Sequence, residues 1–243
     1  MIKKLLKWTI ITFILVVGTT AIWMSVPFDY QQQVTEQSLS SSDTVTVSTG
    51  DFIEFKPAFK ATVGIIFYPG GKTTASTFAP LMHEFARQGF YSAITPMPLK
   101  TAFLGIDKAN DVIAANPTIK HWYIAGHSLG GVAAAEYVKT SPQSVKGLLL
   151  WASYPGSDIS NLSIAVHSLS AGKDLQSTPD KIAINKVKLP THTVYQVIEN
   201  ANHWQYGHYQ DDLNEQQGLI SRAEQQQKVV VATVEFIEQT LAK

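Results

Sequence analysis

The sequence contains no cysteine, which excludes disulfides, thiolate metal sites and a cysteine nucleophile. It does not fix the compartment, because a core drawn from a chain of this length needs no covalent staples. Charge of either sign is scarce, at 16% of 243 residues, and Lys plus Arg balance Asp plus Glu at 19 each. A chain without net charge has no field to concentrate a polyanion, so no nucleic acid partner is expected. His203 and His208 are spaced too widely for an H-x-x-x-H pair, and there is no G-x-x-x-x-G-K-[ST] loop. No metal and no cofactor are therefore expected. Internal repeats are also missing, and nothing in the sequence speaks to the oligomeric state.

What is present begins with one long apolar run. Lys3, Lys4 and Lys7 precede an uncharged stretch from Trp8 to Val26, which as a helix would span roughly 28 Å, close to the hydrocarbon thickness of a bilayer. Trp8 and Trp23 lie near its two ends, where indole rings favour the headgroup region. Residues 1–27 are thus expected to form a transmembrane helix, with the lysines cytoplasmic and the rest of the chain extracytoplasmic. A cleaved signal peptide would instead give a secreted protein, but its apolar part is usually shorter and Thr19 and Ala21 match a small-x-small cleavage site poorly. A core helix fits worse still, since the run is apolar on every face. Residues 28–43 are rich in Gln, Ser and Thr, a composition that buries little apolar surface and predicts a flexible linker. Removal of residues 1–42 is accordingly expected to leave an active, soluble domain at 44–243.

Within that domain, Val45 and Val47, then Ile53 and Phe55, flank Gly50 as two strands of a hairpin. Short apolar runs then alternate with helical patterns. Strands are predicted at 63–68, 91–95, 122–125, 148–153, 164–169 and 193–198, and helices at Ser76–Gln88, Leu104–Asn116, Leu129–Thr140, Pro179–Val187 and Leu219–Leu241. Continuous apolarity means strands covered on both faces. The fold class is therefore α/β, a three-layer sandwich around a mostly parallel central sheet. Such sheets place ligands at the carboxyl ends of their strands.

Three such ends carry chemistry. Ile124-Ala125-Gly126-His127-Ser128-Leu129-Gly130-Gly131 runs from a strand through G-x-S-x-G into a helix. A strained strand-to-helix turn exposes its serine only when the residues two before and two after are small, and Gly126 and Gly130 meet that need. Ser128 is the candidate nucleophile, and the Leu129 N–H at the helix N-terminus is a candidate oxyanion donor. Phe67-Tyr68-Pro69-Gly70-Gly71-Lys72 follows another strand and offers a second donor, Gly71, with Gly70 and Lys72 as neighbours. Asp174 and His203 follow the last two strands and are the candidate acid and general base. Asp158 and Asp180 are alternative acids, although Asp180 also suits a first helical turn. Among the other histidines, His83, His121, His167 and His192 lie in or before elements, His127 lies within the turn itself, and His208 lies five residues past His203.

Together these residues resemble the α/β-hydrolase superfamily, and within it the alpha/beta hydrolase fold-5 family, which is often described as dienelactone-hydrolase-like. The likeness runs from about Asp43 to Lys243. It rests on Gly126-His127-Ser128-Leu129-Gly130, Phe67 to Lys72, Met97-Pro98-Leu99, Ser170 to Asp174 and Asn202 to Tyr209. It implies the catalytic triad Ser128, Asp174 and His203, in the chain order that this fold uses. Pro69 stands where the superfamily commonly has the histidine of a His-Gly oxyanion turn. Dienelactone hydrolases proper use a cysteine nucleophile, which this chain lacks.

The resemblance implies a serine esterase that forms an acyl-enzyme. Residues 154–162 are too few for a lid, which points to small or polymer-borne ester substrates. Met97, Leu99, Phe103, Leu129 and Tyr154 are candidates either for an acyl pocket or for core packing. An acyltransferase would use the same triad, and a surface binding protein could keep the fold without activity.

Overall fold

Alternate side chains along the apolar runs separate into two cores, and that division organises the chain. The computed structural model describes residues 2–210 and 220–242. Its strands are β1 (Val45–Thr49), β2 (Ile53–Pro57), β3 (Val63–Tyr68), β4 (Tyr91–Ile94), β5 (His121–His127), β6 (Gly147–Trp151), β7 (Ala165–Ala171) and β8 (Val194–Ile198). They form one sheet in the order β1-β2-β4-β3-β5-β6-β7-β8. β2 is antiparallel to β1 and to β4, and the remaining neighbours are parallel. The helices are α1 (Ile2–Ser25), α2 (Gln32–Ser38), α3 (Ala79–Arg87), α4 (Lys108–Ala115), α5 (Leu129–Thr140), α6 (Pro179–Asn185) and α7 (Arg222–Leu241).

Ile65, Phe67, Tyr123, Ala125, Leu149 and Trp151 face one side, where they pack with residues of α3 and α7. Their neighbours Ile66, Tyr68, Ile124, Leu148 and Leu150 face the other side and pack with α4 and α5. Both faces of the central strands are thus covered, which is why the sequence there shows no polar alternation. Aromatic rings tie the first core together: Trp151 stacks on Phe85 at 5.7 Å and meets Phe67 at 5.3 Å.

Several boundaries differ from the sequence reading. The helix expected from Ser76 opens as a 3-10 turn at Ala75–Phe78, and the α-helical part takes Pro80 in its first turn, where no N–H is needed. The helix expected from Leu104 is preceded by a 3-10 turn at Ala102–Gly105 and begins at Lys108. β7 continues to Ala171 because Ser170 and Ala171 stay paired with Val197 and Ile198. The last helix begins at Arg222, where the Ser221 hydroxyl accepts from the Glu224 N–H. Leu219, its expected start, lies outside the described residues.

The flexible linker expected at 28–43 is corrected by the structure. Residues 32–38 form α2, and Thr35 is fully buried. Phe28 meets Trp204 edge-on at 5.1 Å, Tyr30 bridges Tyr209, and the Gln31 N–H donates to the His208 carbonyl at 2.8 Å. A few residues outweigh the polar average: Phe28 and Leu39 pack against the first core, and unpaired backbone groups find partners on the domain. Helix α1 buries none of its residues and is long and apolar enough to cross a membrane.

Candidate active site

The turn after β5 holds Ser128 at φ 54°, ψ −125°, a conformation costly for any side chain other than glycine. The close packing around the turn explains why it survives. A Cβ on Gly130 would lie 2.0 Å from the Tyr68 carbonyl oxygen, and one on Gly126 would lie 2.4 Å from Gly130. Strand and helix therefore pass at backbone contact, as the sequence spacing requires. Main-chain bonds fix the serine: its N–H donates to the Trp151 carbonyl at 3.1 Å, and its carbonyl accepts from the Ser153 hydroxyl at 2.7 Å. Ser128 and Leu129 stay partly exposed at the start of α5, while Gly130 and Gly131 are buried.

Beyond β7, Asp174 turns back on its own chain, its Oδ1 accepting from the Gln176 and Ser177 N–H groups at 2.7 Å each. Oδ2 is left to face the His203 imidazole, and Nδ1 lies 2.8 Å from it. Both side chains are almost completely buried, at 0% and 3% exposure. The alternatives fall elsewhere. Asp158 is on the surface, accepting from the Ser160 N–H, and Asp180 sits in the first turn of α6. His167 pairs with Gln196, His192 with the Ile164 carbonyl, and His208 lies between Gln31 and Gln226.

His203 reaches the turn through the residue before the serine. The His127 and His203 ring centroids are 4.5 Å apart, and His127 Nε2 donates to the His203 carbonyl at 3.1 Å. Burial first, and the neighbouring His203 second, hold His127 neutral by pushing its pKa well below the ordinary imidazole range. On the far side of His127 lies the glycine loop: a Cβ on Gly70 would sit 3.3 Å from His127 Nδ1. A Cβ on Gly71 would sit 3.0 Å from Leu129 Cδ2, so the two candidate oxyanion donors belong to touching residues. Lys72, the neighbouring alternative, has its N–H engaged by the Lys100 carbonyl at 2.9 Å.

A cleft of about 480 Å³ opens beside Ser128, lined by Ser128, Leu129, Tyr154, Leu175 and Lys181 among others, whereas His203, Asp174, Gly70 and Gly71 do not line it. Residues 152–164, between β6 and β7, contain no helix, so no lid is inserted there. Of the acyl-pocket candidates, Leu129 and Tyr154 line the cleft, whereas Leu99 and Phe103 are solvent-facing at 47% and 45% exposure. A second depression of about 500 Å³, near Lys120 and Trp122, lies at the opposite ends of the strands.

The sequence matches the model of the alpha/beta hydrolase family over residues 64–227, more than half of its length. The chain belongs to that family. Among solved structures, it is similar to Est1E from Butyrivibrio proteoclasticus, at 12% identity and a TM-score of 0.59 over 83% of this chain and 100% of that one. A structure of Est1E with ferulic acid bound matches at 12% identity and a TM-score of 0.60, over 84% and 98%. A predicted CIB-like hydrolase from Thermoplasma acidophilum matches at 13% and 0.62, over 80% and 98%. At these identities the likeness is one of fold. No curated protein matches the sequence.

Gln225 and Thr73 support the site of this alpha/beta hydrolase without any sequence signal, and the contacts of Tyr206 and Tyr209, inside the Asn202 to Tyr209 motif, emerge only from the fold. Gln225, fully buried on α7, grips the main chain just before His203: its Oε1 accepts from the Asn202 N–H at 3.1 Å and its Nε2 donates to the Asn202 carbonyl at 2.8 Å. Tyr206 anchors the same loop to the Leu169 carbonyl, and Tyr209 pairs with Thr73 beside the glycine loop. A glutamine in mid-helix carries no motif, so only the fold reveals it. The asparagine before the histidine was visible, but its partner was not.

Proposed function

We propose that this alpha/beta hydrolase is a serine esterase in which Ser128 attacks the ester carbonyl, His203 is the general base and Asp174 orients the imidazole. The observation that carries the reading is the buried His203–Asp174 pair, packed through His127 against a serine held in a strained, partly exposed turn. In such a pair the acid selects the tautomer with its proton on Nδ1, leaving Nε2 free to accept the serine proton and later deliver it to the leaving alcohol. Among the described residues the His203 side chain hydrogen-bonds Asp174 and not Ser128; its bond to the serine hydroxyl is proposed to form with substrate bound, where such bonds tighten.

The oxyanion that forms on attack is held by the Leu129 N–H at the positive end of α5, and by the Gly71 N–H with Gly70 beside it. The acyl-enzyme is then cleaved by water activated by the same histidine. The open cleft favours water over a sequestered acceptor, and therefore hydrolysis over acyl transfer. It also admits small esters and esters carried on larger molecules, and the ferulic acid bound in Est1E is in keeping with an acid product.

We read α1 as a single-pass membrane anchor, with Lys3, Lys4 and Lys7 in the cytoplasm and the catalytic domain outside. A fluorophosphonate probe tests the chemistry without knowledge of the substrate. The wild-type protein is expected to be labelled and to hydrolyse short nitrophenyl esters, and Ser128→Ala to do neither. A wild-type chain that takes no label, or a Ser128→Ala variant that keeps it, would overturn the assignment.

A further inference from the structure

The end of α1, the glycine loop and the His203 loop form one packed unit. α1 packs against Pro98–Lys100. The Lys72 ammonium lies 4.0 Å from the centre of the Trp23 ring and 5.3 Å from that of Phe28. The same Lys72 accepts from the Phe28 N–H through its carbonyl at 2.8 Å and donates through its N–H to the Lys100 carbonyl. Phe28 in turn meets Trp204, the residue after His203. No slack chain separates the apolar helix from the site.

That geometry fixes where a membrane would lie. No residue of α1 is buried, so beyond its contacts with Pro98–Lys100 and Lys72 the helix projects away, and Trp23, 60% exposed at its domain end, marks the interfacial level. Lys72, beside Trp23, is the next residue after Gly71. Around the junction Val26, Leu99 and Leu104 expose large apolar side chains at 55%, 47% and 56%, with Phe103 beside them. From Met97 to Ile106 the chain carries one charge, Lys100, and no acid. Apolar side chains interspersed with lysines, continuous with a membrane-spanning helix, have the chemistry of a surface that enters an anionic headgroup layer.

We propose that this rim is a lipid-docking surface and that the enzyme acts on acyl esters presented by the membrane that anchors it. The inference rests on reading Ser128 as the nucleophile and α1 as the anchor. The ester need only rise to the cleft, where Leu175 is 57% exposed and Leu129 and Tyr154 form the wall.

The test uses the full chain in vesicles of phosphatidylcholine and phosphatidylglycerol, with two nitrophenyl esters: a long-chain ester that partitions into the bilayer and a short-chain one that stays in water. The readout is the ratio of the two rates. Inserting about sixteen Gly/Ser residues between Ser25 and Val26 adds a coil of roughly 22 Å, letting the domain leave the surface. Leu104→Asp removes one apolar anchor without touching the site. Each change is expected to lower the long-to-short ratio about tenfold, while fluorophosphonate labelling of Ser128 stays at the wild-type rate. Labelled variants with an unchanged ratio would overturn this inference alone. An unlabelled wild-type protein would overturn the esterase reading, and this inference with it.

Discussion

Replacing Gln225 by alanine isolates how the domain holds the His203 loop, and with it the proposed general base. The Gln225 amide makes two hydrogen bonds to the main chain of Asn202, at 3.1 and 2.8 Å, and is itself 0% exposed. Truncation strands a buried N–H and a buried carbonyl where water has no access. At about 1–3 kcal/mol for each orphaned group, the loss of stability is expected to be roughly 2–6 kcal/mol. Urea unfolding measures it as a lowered midpoint with an unchanged slope. Because Asn202 directly precedes His203, the loop should also lose its register. The turnover of a short-chain ester is expected to fall by at least about tenfold with little change in KM, as misplacement of a catalytic group predicts. A variant that unfolds within about 1 kcal/mol of wild type and turns over at the wild-type rate would refute the role given to this clamp.

Other perturbations follow from the same contacts. Gly130→Ala places a methyl group 2.0 Å from the Tyr68 carbonyl oxygen; the variant is expected to be insoluble or destabilised by about 3 kcal/mol or more, and a soluble, fully active Gly130→Ala protein would contradict the turn. Truncation before Val26 should leave short-ester hydrolysis intact, whereas removal of residues 1–42 also strips Phe28 and α2 from the domain and should lower both the melting temperature and the fluorophosphonate labelling rate. Equal behaviour of the two truncations would restore the view of this stretch as a passive tether. His167 is buried, and desolvation drives its pKa down to about 4 from 6.5, with Gln196 opposing. Between those values the unfolded chain binds the extra proton, so stability should fall by roughly 3 kcal/mol as the pH drops from above 6.5 to about 4. His127 acts in the same direction. A flat stability profile across that window would contradict both burials.

The fold was legible where burial is two-sided and the punctuation strong. Runs such as Ile65 to Tyr68 and Leu148 to Trp151 read as covered strands, and Gly126 and Gly130 marked the turn between β5 and α5 because only glycine fits backbone contact at those positions. Asp174 and His203 were legible as residues just after late strands, and the structure brings them together. Composition misled at residues 28–43, where Phe28, Tyr30 and Thr35 find partners on the domain that an average over glutamines and serines conceals. The cleft was harder to read, since Leu99 and Phe103 resemble Leu129 and Tyr154 in type and differ only in where the chain turns them. Long-range support of the kind Gln225 gives leaves no local pattern at all.

The most direct measurement is a crystal structure of the protein after reaction with a fluorophosphonate. Phosphorus is expected on Ser128 Oγ, with the phosphoryl oxygen within hydrogen-bonding distance of the Leu129 and Gly71 N–H groups and His203 Nε2 facing Oγ while Nδ1 stays on Asp174. An adduct on another residue, or an adduct on Ser128 with the His203 imidazole turned away from it, would refute the proposed triad.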